Sequence, residues 1–158
     1  MRVGDDASVR VGTWNLAGRS SDHHQTLLAS ADCDVWLLTE VNERTVMPGY
    51  ELHASQMLMA PERRWAAVAS RLPMTPKPDP HPASARVRIG TTTYVSSVLP
   101  WKGCGATPPW VGDRHADKTR HAVDDLVTEL TSIKSLVWGG DWNHALTGRE
   151  YAGSIGGR

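Results

Sequence analysis

The segment at residues 34–42, DVWLLTEVN, constrains the fold of this chain most strongly. Its four consecutive apolar residues, 35–38, suit a strand that is covered on both faces, as in layered α/β structures. Glu40 follows almost directly, and a carboxylate at the edge of a core needs a hydrogen-bonding partner or a cation. We therefore expect a buried strand that ends in a functional acidic side chain.

The neighbouring segments extend this strand into a strand, helix, strand unit and then into a longer series of elements. Residues 8–16 alternate between apolar and polar side chains as a strand does, and residues 20–22 offer a helix N-cap. The five prolines within 73–82 predict a long surface loop, because proline lacks a backbone donor. Further strands are predicted at 50–55, 65–73, 85–89, 92–99 and 136–138, with helices through 27–31 and over 116–133.

The composition limits the class of protein. The chain has 158 residues, enough for one domain with a substantial core, and its 17 basic and 17 acidic residues leave no net charge. Zero net charge weakly disfavours an avid, non-specific nucleic-acid binder. No stretch approaches the roughly 20 apolar residues of a membrane span. With no secretory signal and two isolated cysteines, we expect a cytoplasmic protein without a transmembrane segment.

Three of the predicted strands end in oxygen-bearing side chains. Asn15, Glu40 and Asp141 each follow an apolar strand, and Asn143 comes two residues after Asp141. Taken singly, Asn and Asp at such positions are common turn residues. Taken together, they favour a site beyond the strand ends, where α/β proteins collect their ligands. Carboxylate and amide oxygens suit Mg²⁺ or Mn²⁺, so we expect a metal site that hydrolyses phosphate esters.

Four motifs then resemble a known family in their order along the chain. VGTWNLAG (11–18), DVWLLTEVN (34–42), VASR (68–71) and VWGGDWNHAL (137–146) are similar to the successive motifs of the endonuclease/exonuclease/phosphatase superfamily. The resemblance implies an α/β (α+β) chain with the DNase I-like fold, a four-layer αββα sandwich of two packed mixed β-sheets. It also implies Mg²⁺-dependent hydrolysis of phosphodiester or phosphomonoester bonds, with nucleic acid among the candidate substrates.

The resemblance assigns roles to the same four residues. Glu40 is expected to be the principal metal ligand, while Asn15 assists at both the metal and the phosphate. Asp141 completes the expected metal set and orients or deprotonates the attacking water. Asn143 is expected to hold a phosphate oxygen as negative charge develops. An ionised carboxylate accepts a proton or a metal and an amide donates to an oxyanion, so these roles agree with the side-chain chemistry.

The chain departs from the family pattern in two places. Where many members present a His or Tyr to the scissile phosphate, this chain has Ser97, Val98 and Leu99. The family also ends in further strands with an Asp-His pair, which do not follow the GDWN motif here. His144 does not occupy that position and is expected to be a loop histidine, and Arg120 an exposed helix residue.

These departures define the expected organisation and an alternative function. Residues 1–158 are expected to form a single domain that is incomplete at its C-terminus, with the last strands missing. A sandwich without those strands would expose a sheet edge, so we expect a partner or an oligomer to cover it. The alternative is a catalytically incomplete module that binds phosphate-bearing ligands or a protein partner on the same scaffold.

Overall fold

The computed structural model describes residues 8–144, which form nine strands and two helices. The helices are α1 (Asp22–Ser30) and α2 (His115–Leu130). The strands are β1 (Val11–Asn15), β2 (Val35–Asn42), β3 (Glu51–Ala54), β4 (Leu58–Ala60), β5 (Arg63–Ser70), β6 (Thr75–Lys77), β7 (Ser84–Ile89), β8 (Thr92–Val98) and β9 (Leu136–Asp141).

The strands form two mixed sheets. The first has the order β1-β2-β5-β3, with β4 also paired to β5, and the second has the order β6-β7-β8-β9. β1 runs parallel to β2, and β9 runs parallel to β8, whereas the remaining pairs are antiparallel. Within residues 8–144, β1 and β9 are the outer strands of their sheets and approach each other across the sandwich. The C-terminal ends of β1, β2 and β9 therefore meet at one edge of the molecule.

Three clusters of buried side chains separate four layers. Leu28 of α1 packs on the outer face of the first sheet, and the buried face of α2 packs on the outer face of the second. That face carries Leu126 and Leu130, four residues apart as an amphipathic helix requires. The third cluster, which includes Val68 and Val87, lies between the sheets. The predicted four-layer αββα arrangement is confirmed.

Buried polar contacts also join the two sheets. The Ser96 hydroxyl on β8 donates to the carbonyl of Leu38 on β2 at 2.7 Å, and this contact is shielded from water. The hydrogen bond satisfies the Ser96 hydroxyl, which would otherwise be costly to bury, and helps to set the position of one sheet relative to the other.

The structure corrects two of the predicted elements and adds one strand. The last strand does not end before the glycines but runs through Gly139 and Gly140 to Asp141. Gly140 has φ of 128°, and a Cβ at this position would collide with the Ser97 carbonyl, so glycine permits the close pairing with β8. The proline-rich stretch, predicted to be a loop, contains β6. Because β6 is an edge strand, the missing N–H of Pro76 does not interrupt hydrogen bonding between interior strands. β4 was not predicted.

No helix within the described residues is long and apolar enough to cross a membrane.

Candidate active site

A single amide joins a carboxylate near the C-terminal end of β2 to the carboxylate that ends β9. Nδ2 of Asn15 donates to Oε1 of Glu40 at 2.9 Å and to Oδ2 of Asp141 at 2.7 Å. The two carboxylate oxygens are therefore no further apart than the sum of these two lengths. The backbone N–H of Ala17 donates to Oδ1 of Asn15 at 2.8 Å, which fixes the orientation of the amide. The structure thus brings together the three residues proposed for the metal set.

The backbone around this bridge adopts conformations that residues with a side chain avoid. Ala17, Glu40 and Asn143 have φ of 50°, 50° and 51°. Such left-handed conformations cost about 1–3 kcal/mol each and concentrate at functional sites. At Glu40 the conformation breaks the alternation of β2, because Val41 packs in the same outer cluster as Leu38. The Glu40 carboxylate is thereby free to meet Asn15.

Arg63, at the start of β5, is a member of the site that the sequence did not reveal. Its Nη1 lies 3.3 Å from Oε2 of Glu40, and both side chains are only partly exposed, at 36% and 22%. The guanidinium packs against Gly18, where an added Cβ would come within 2.5 Å of it. Gly18 in turn donates its N–H to the Glu40 carbonyl at 2.7 Å. One positive charge therefore accompanies the two carboxylates.

Asn143 lies beside Asp141 and is anchored to β8. Its backbone N–H donates to Oδ1 of Asp141 at 3.2 Å, and its Nδ2 donates to the Leu99 carbonyl at 2.9 Å. Because an amide nitrogen carries two hydrogens, the second N–H of Nδ2 remains for a ligand. The Asn143 residue is exposed, in contrast to the partly buried Asn15 and Asp141.

The positions where the family carries a phosphate-contacting His or Tyr are buried here. Ser97 is fully buried; its hydroxyl accepts from Ser84 at 2.8 Å and from Nε1 of Trp138 at 3.0 Å. Trp138 packs against Trp142 with a ring-centroid distance of 5.0 Å. These tryptophans therefore support the strand beneath the site, and the Ser97 hydroxyl is used in structural hydrogen bonds.

Comparison with solved structures places this arrangement in a known architecture. The chain is similar to the endonuclease domain of TRAS1, a telomere-specific non-LTR retrotransposon, with a TM-score of 0.65. The chain has the DNase I-like fold. The similarity covers 88% of this chain and 62% of that domain at 18% sequence identity, so the chain spans less than two thirds of its neighbour's length. No family model and no curated protein matches the chain.

The DNase I-like fold gives the architecture, whereas function must be argued from the residues of the site. Among residues 8–144 no group of three or more His, Cys, Asp or Glu side chains is arranged to hold a metal ion. Glu40 and Asp141 nevertheless offer a pair of hard oxygen donors. This set fits Mg²⁺, which keeps several of its waters and binds through one or two carboxylates together with substrate phosphate.

Two further predictions concern the surface beside this DNase I-like site. Arg120 is 64% exposed and pairs with Asp117 on its own helix at 3.6 Å, as expected for a solvated helix residue. His144 stacks on His115, a residue that the sequence analysis did not select. The helix was predicted to begin at residue 116, one residue after its observed start at His115.

Proposed function

We propose that this domain hydrolyses phosphodiester bonds of nucleic acid with the help of a divalent cation, Mg²⁺ or Mn²⁺. The observation that carries the proposal is the Glu40–Asn15–Asp141 bridge at the edge where β1 and β9 meet. Two carboxylates held this close have one adjacent cation, Arg63, among residues 8–144, so this part of the chain leaves an excess of negative charge at the centre. A divalent cation would offset this repulsion more fully than the Asn15 amide does.

The site residues would have different roles in holding such a cation. Glu40 and Asp141 would bind it through their carboxylate oxygens. In the observed arrangement Oδ1 of Asn15 faces the N–H of Ala17, so Asn15 would hold the two carboxylates in position. The direct ligand role that the sequence predicts for Asn15 would require its amide to turn over. When bound, the cation supplies Lewis-acid stabilisation of the charge that develops on the phosphate oxygens.

The remaining steps belong to side chains of the chain. Asp141 accepts the proton of the attacking water as the water oxygen bonds to phosphorus, and solvent protonates the leaving ester oxygen as its bond to phosphorus breaks. The bond from the Asn143 N–H to Oδ1 of Asp141 keeps the carboxylate oriented. The Asn143 side chain, anchored on Leu99, directs its remaining N–H to a non-bridging phosphate oxygen. Arg63 holds Glu40 before substrate arrives and adds positive charge beside the phosphate once it does.

Nucleic acid is the substrate class that best agrees with the neighbouring structure, which is an endonuclease domain. The zero net charge of the chain makes affinity dependent on a local basic surface rather than on overall charge. We therefore expect modest, salt-sensitive binding to the phosphate backbone.

The test compares the purified chain with matched variants on plasmid DNA and on labelled single-stranded DNA and RNA. We expect cleavage in Mg²⁺ or Mn²⁺, none in EDTA, and a loss of about 100-fold or more in Glu40→Gln and Asp141→Asn, the size seen when one transition-state contact is removed. Glu62→Gln, at an exposed carboxylate paired with Arg44, is the control and should retain wild-type activity. Equal cleavage by all four proteins would refute the proposal.

Calorimetric titration of Mg²⁺ separates the alternative function. No heat of Mg²⁺ binding in the wild type or in Glu40→Gln, together with no hydrolysis of the three substrates, would instead favour the catalytically incomplete module that binds phosphate-bearing ligands or a protein partner.

A further inference from the structure

Two imidazole rings stack next to the proposed catalytic centre and take no part in it. His115 begins α2, and His144 directly follows Asn143. Their ring centroids are 5.0 Å apart and their planes differ by 14°. Neither ring contributes to the core, and both residues are partly exposed. The pair therefore presents an ordered aromatic surface to solvent.

Hydrogen bonds fix both rings and define their neutral tautomers. Nε2 of His115 lies 3.0 Å from the Pro100 carbonyl, which only accepts, so this nitrogen carries the proton. The Thr119 hydroxyl donates to the carbonyl of His115 at 3.0 Å, so it accepts from Nε2 of His144 at 3.3 Å. Nδ1 of each ring lies outside these bonds and is an acceptor. The surface is thus pre-organised in shape and in polarity.

The histidine pair lines a surface groove of about 510 Å³, which Arg120 and Val123 also line. This volume lies within the range of about 300–1,000 Å³ that is typical of small-molecule sites. The groove combines two imidazole rings, the aliphatic side chain of Val123 and the guanidinium of Arg120, whose side chain is largely exposed. A flat, partly polar aromatic ligand matches these surfaces better than an aliphatic chain would.

The groove is joined to the catalytic centre through consecutive residues. Leu99 accepts from the Asn143 side chain, and the next residue, Pro100, accepts from His115. Three residue steps separate Asp141 from His144, so their Cα atoms lie within about 11 Å of each other. A nucleotide whose phosphate lies at Asp141 therefore has a neighbouring base within reach of the groove.

We propose that the His115–His144 pair is a stacking subsite for one unpaired nucleobase next to the scissile phosphate. The inference rests on the proposed function, since it names the part of the substrate that this surface recognises. Bases of single strands stack on aromatic side chains and on guanidinium planes with little dependence on sequence. The subsite would consequently favour single-stranded or locally unpaired nucleic acid over intact duplex.

The experiment measures binding without cleavage, by fluorescence anisotropy in EDTA. The probes are a fluorescein-labelled 12-nucleotide single strand of DNA and a strand of equal length built from abasic residues, which keeps the phosphates but has no bases. The variants are His144→Ala, His115→Ala and His144→Phe, which preserves an aromatic face. His121→Ala, an exposed histidine on the same helix, is the matched control.

We expect His144→Ala to raise the Kd for the base-containing strand about tenfold, which corresponds to about 1.4 kcal/mol. That value lies within the range for stacking one base on an aromatic side chain. Binding of the abasic strand should stay within about twofold, and His144→Phe and His121→Ala should bind both strands as wild type does. If His144→Ala destabilises the fold, His115→Ala removes the other ring of the stack and should show the same loss on the base-containing strand alone, with His144→Phe as the aromatic control.

Two results would overturn the subsite: equal binding of the two strands by the wild type, or an equal loss on both strands in His144→Ala. Either result, together with Mg²⁺-dependent cleavage that Glu40→Gln abolishes, would leave the proposed function intact. Base-dependent binding without any cleavage would instead retain the subsite and remove the nuclease proposal.

Discussion

Replacing Asn15 by Asp exchanges the donor at the centre of the carboxylate bridge for a third negative oxygen. The wild-type amide donates two bonds, of 2.9 and 2.7 Å, to Glu40 and Asp141. Hydrogen bonds to charged groups contribute about 1.5–3 kcal/mol each. We take about 1 kcal/mol for each here, because the carboxylates keep some access to water, the Glu40 side chain being 22% exposed.

Repulsion adds to this loss. Two unit charges 4 Å apart repel by about 4 kcal/mol at an effective dielectric constant of 20, and the neighbouring Arg63 and the access of the cluster to water limit what is realised. We therefore expect Asn15→Asp to lower the free energy of unfolding by about 3–5 kcal/mol at pH 8 without divalent cation. For a chain of this length that corresponds to a fall in Tm of about 10 °C.

The loss of stability in Asn15→Asp depends on pH and on divalent cation, and the direction of each effect can be predicted. Repulsion raises the pKa of the introduced carboxyl in the folded state, so the folded variant binds its proton more tightly than the unfolded chain does. The destabilisation is therefore full at pH 8 and shrinks as the pH falls towards 5. Mg²⁺ should raise the Tm of the variant more than that of the wild type, because it binds only the folded cluster.

Thermal unfolding followed by circular dichroism, at pH 8 and pH 5 and with EDTA or Mg²⁺, measures all three effects. Gln56→Glu makes the same charge change at an exposed side chain and should leave Tm unchanged. If Asn15→Asp melts within about 2 °C of the wild type in EDTA at pH 8, the amide does not bridge the two carboxylates in solution.

Three further predictions concern the scaffold. Burial lowers the pKa of His81, and Asp125 partly opposes this effect. Because the unfolded chain then binds the proton more readily than the folded chain, stability should fall as the pH drops below about 6.5. Urea unfolding between pH 5 and 7.5 should show a shallower fall in stability for His81→Asn than for the wild type. Gly140→Ala should lower Tm by about 8 °C or more, since the new methyl group meets the Ser97 backbone; a wild-type Tm would contradict the close pairing of β8 and β9. Ser96→Ala removes the buried hydrogen bond to the Leu38 carbonyl and should cost about 0.5–1.5 kcal/mol in urea unfolding, and a change below about 0.3 kcal/mol would show that the bond between the sheets contributes little.

Much of the fold could be predicted because hydrophobic patterning determines which faces are buried. The strand around residues 35–38 and the helix carrying Leu126 follow from apolar spacing alone. The convergence of Asn15, Glu40 and Asp141 also follows from a simple rule, since each residue lies at the C-terminal end of its strand or within two residues of it.

The missed residues depend on pairings between distant segments. Arg63 joins the site because β5 runs antiparallel to β2 and sets Arg63 opposite Asn42, a register that no local pattern specifies. The His115–His144 stack requires α2 to lie over the end of β9, which is a tertiary contact. A Gly-Gly pair usually indicates a turn, whereas β9 continues through both glycines. The close approach of β8 requires a residue without a side chain at Gly140, and this tertiary contact outweighs the local turn propensity.

The bridge between Asn15 and Asp141 joins residues that are 126 positions apart in the chain. Closing a loop of that length costs about 4 kcal/mol of chain entropy, and no local contact offsets this cost before both sheets have formed. During synthesis the carboxylate pair therefore cannot assemble until almost all of the described chain has been made. A nascent or partly folded chain would lack the assembled carboxylate pair, and the hydrolysis that we propose should return in step with the slowest phase of refolding.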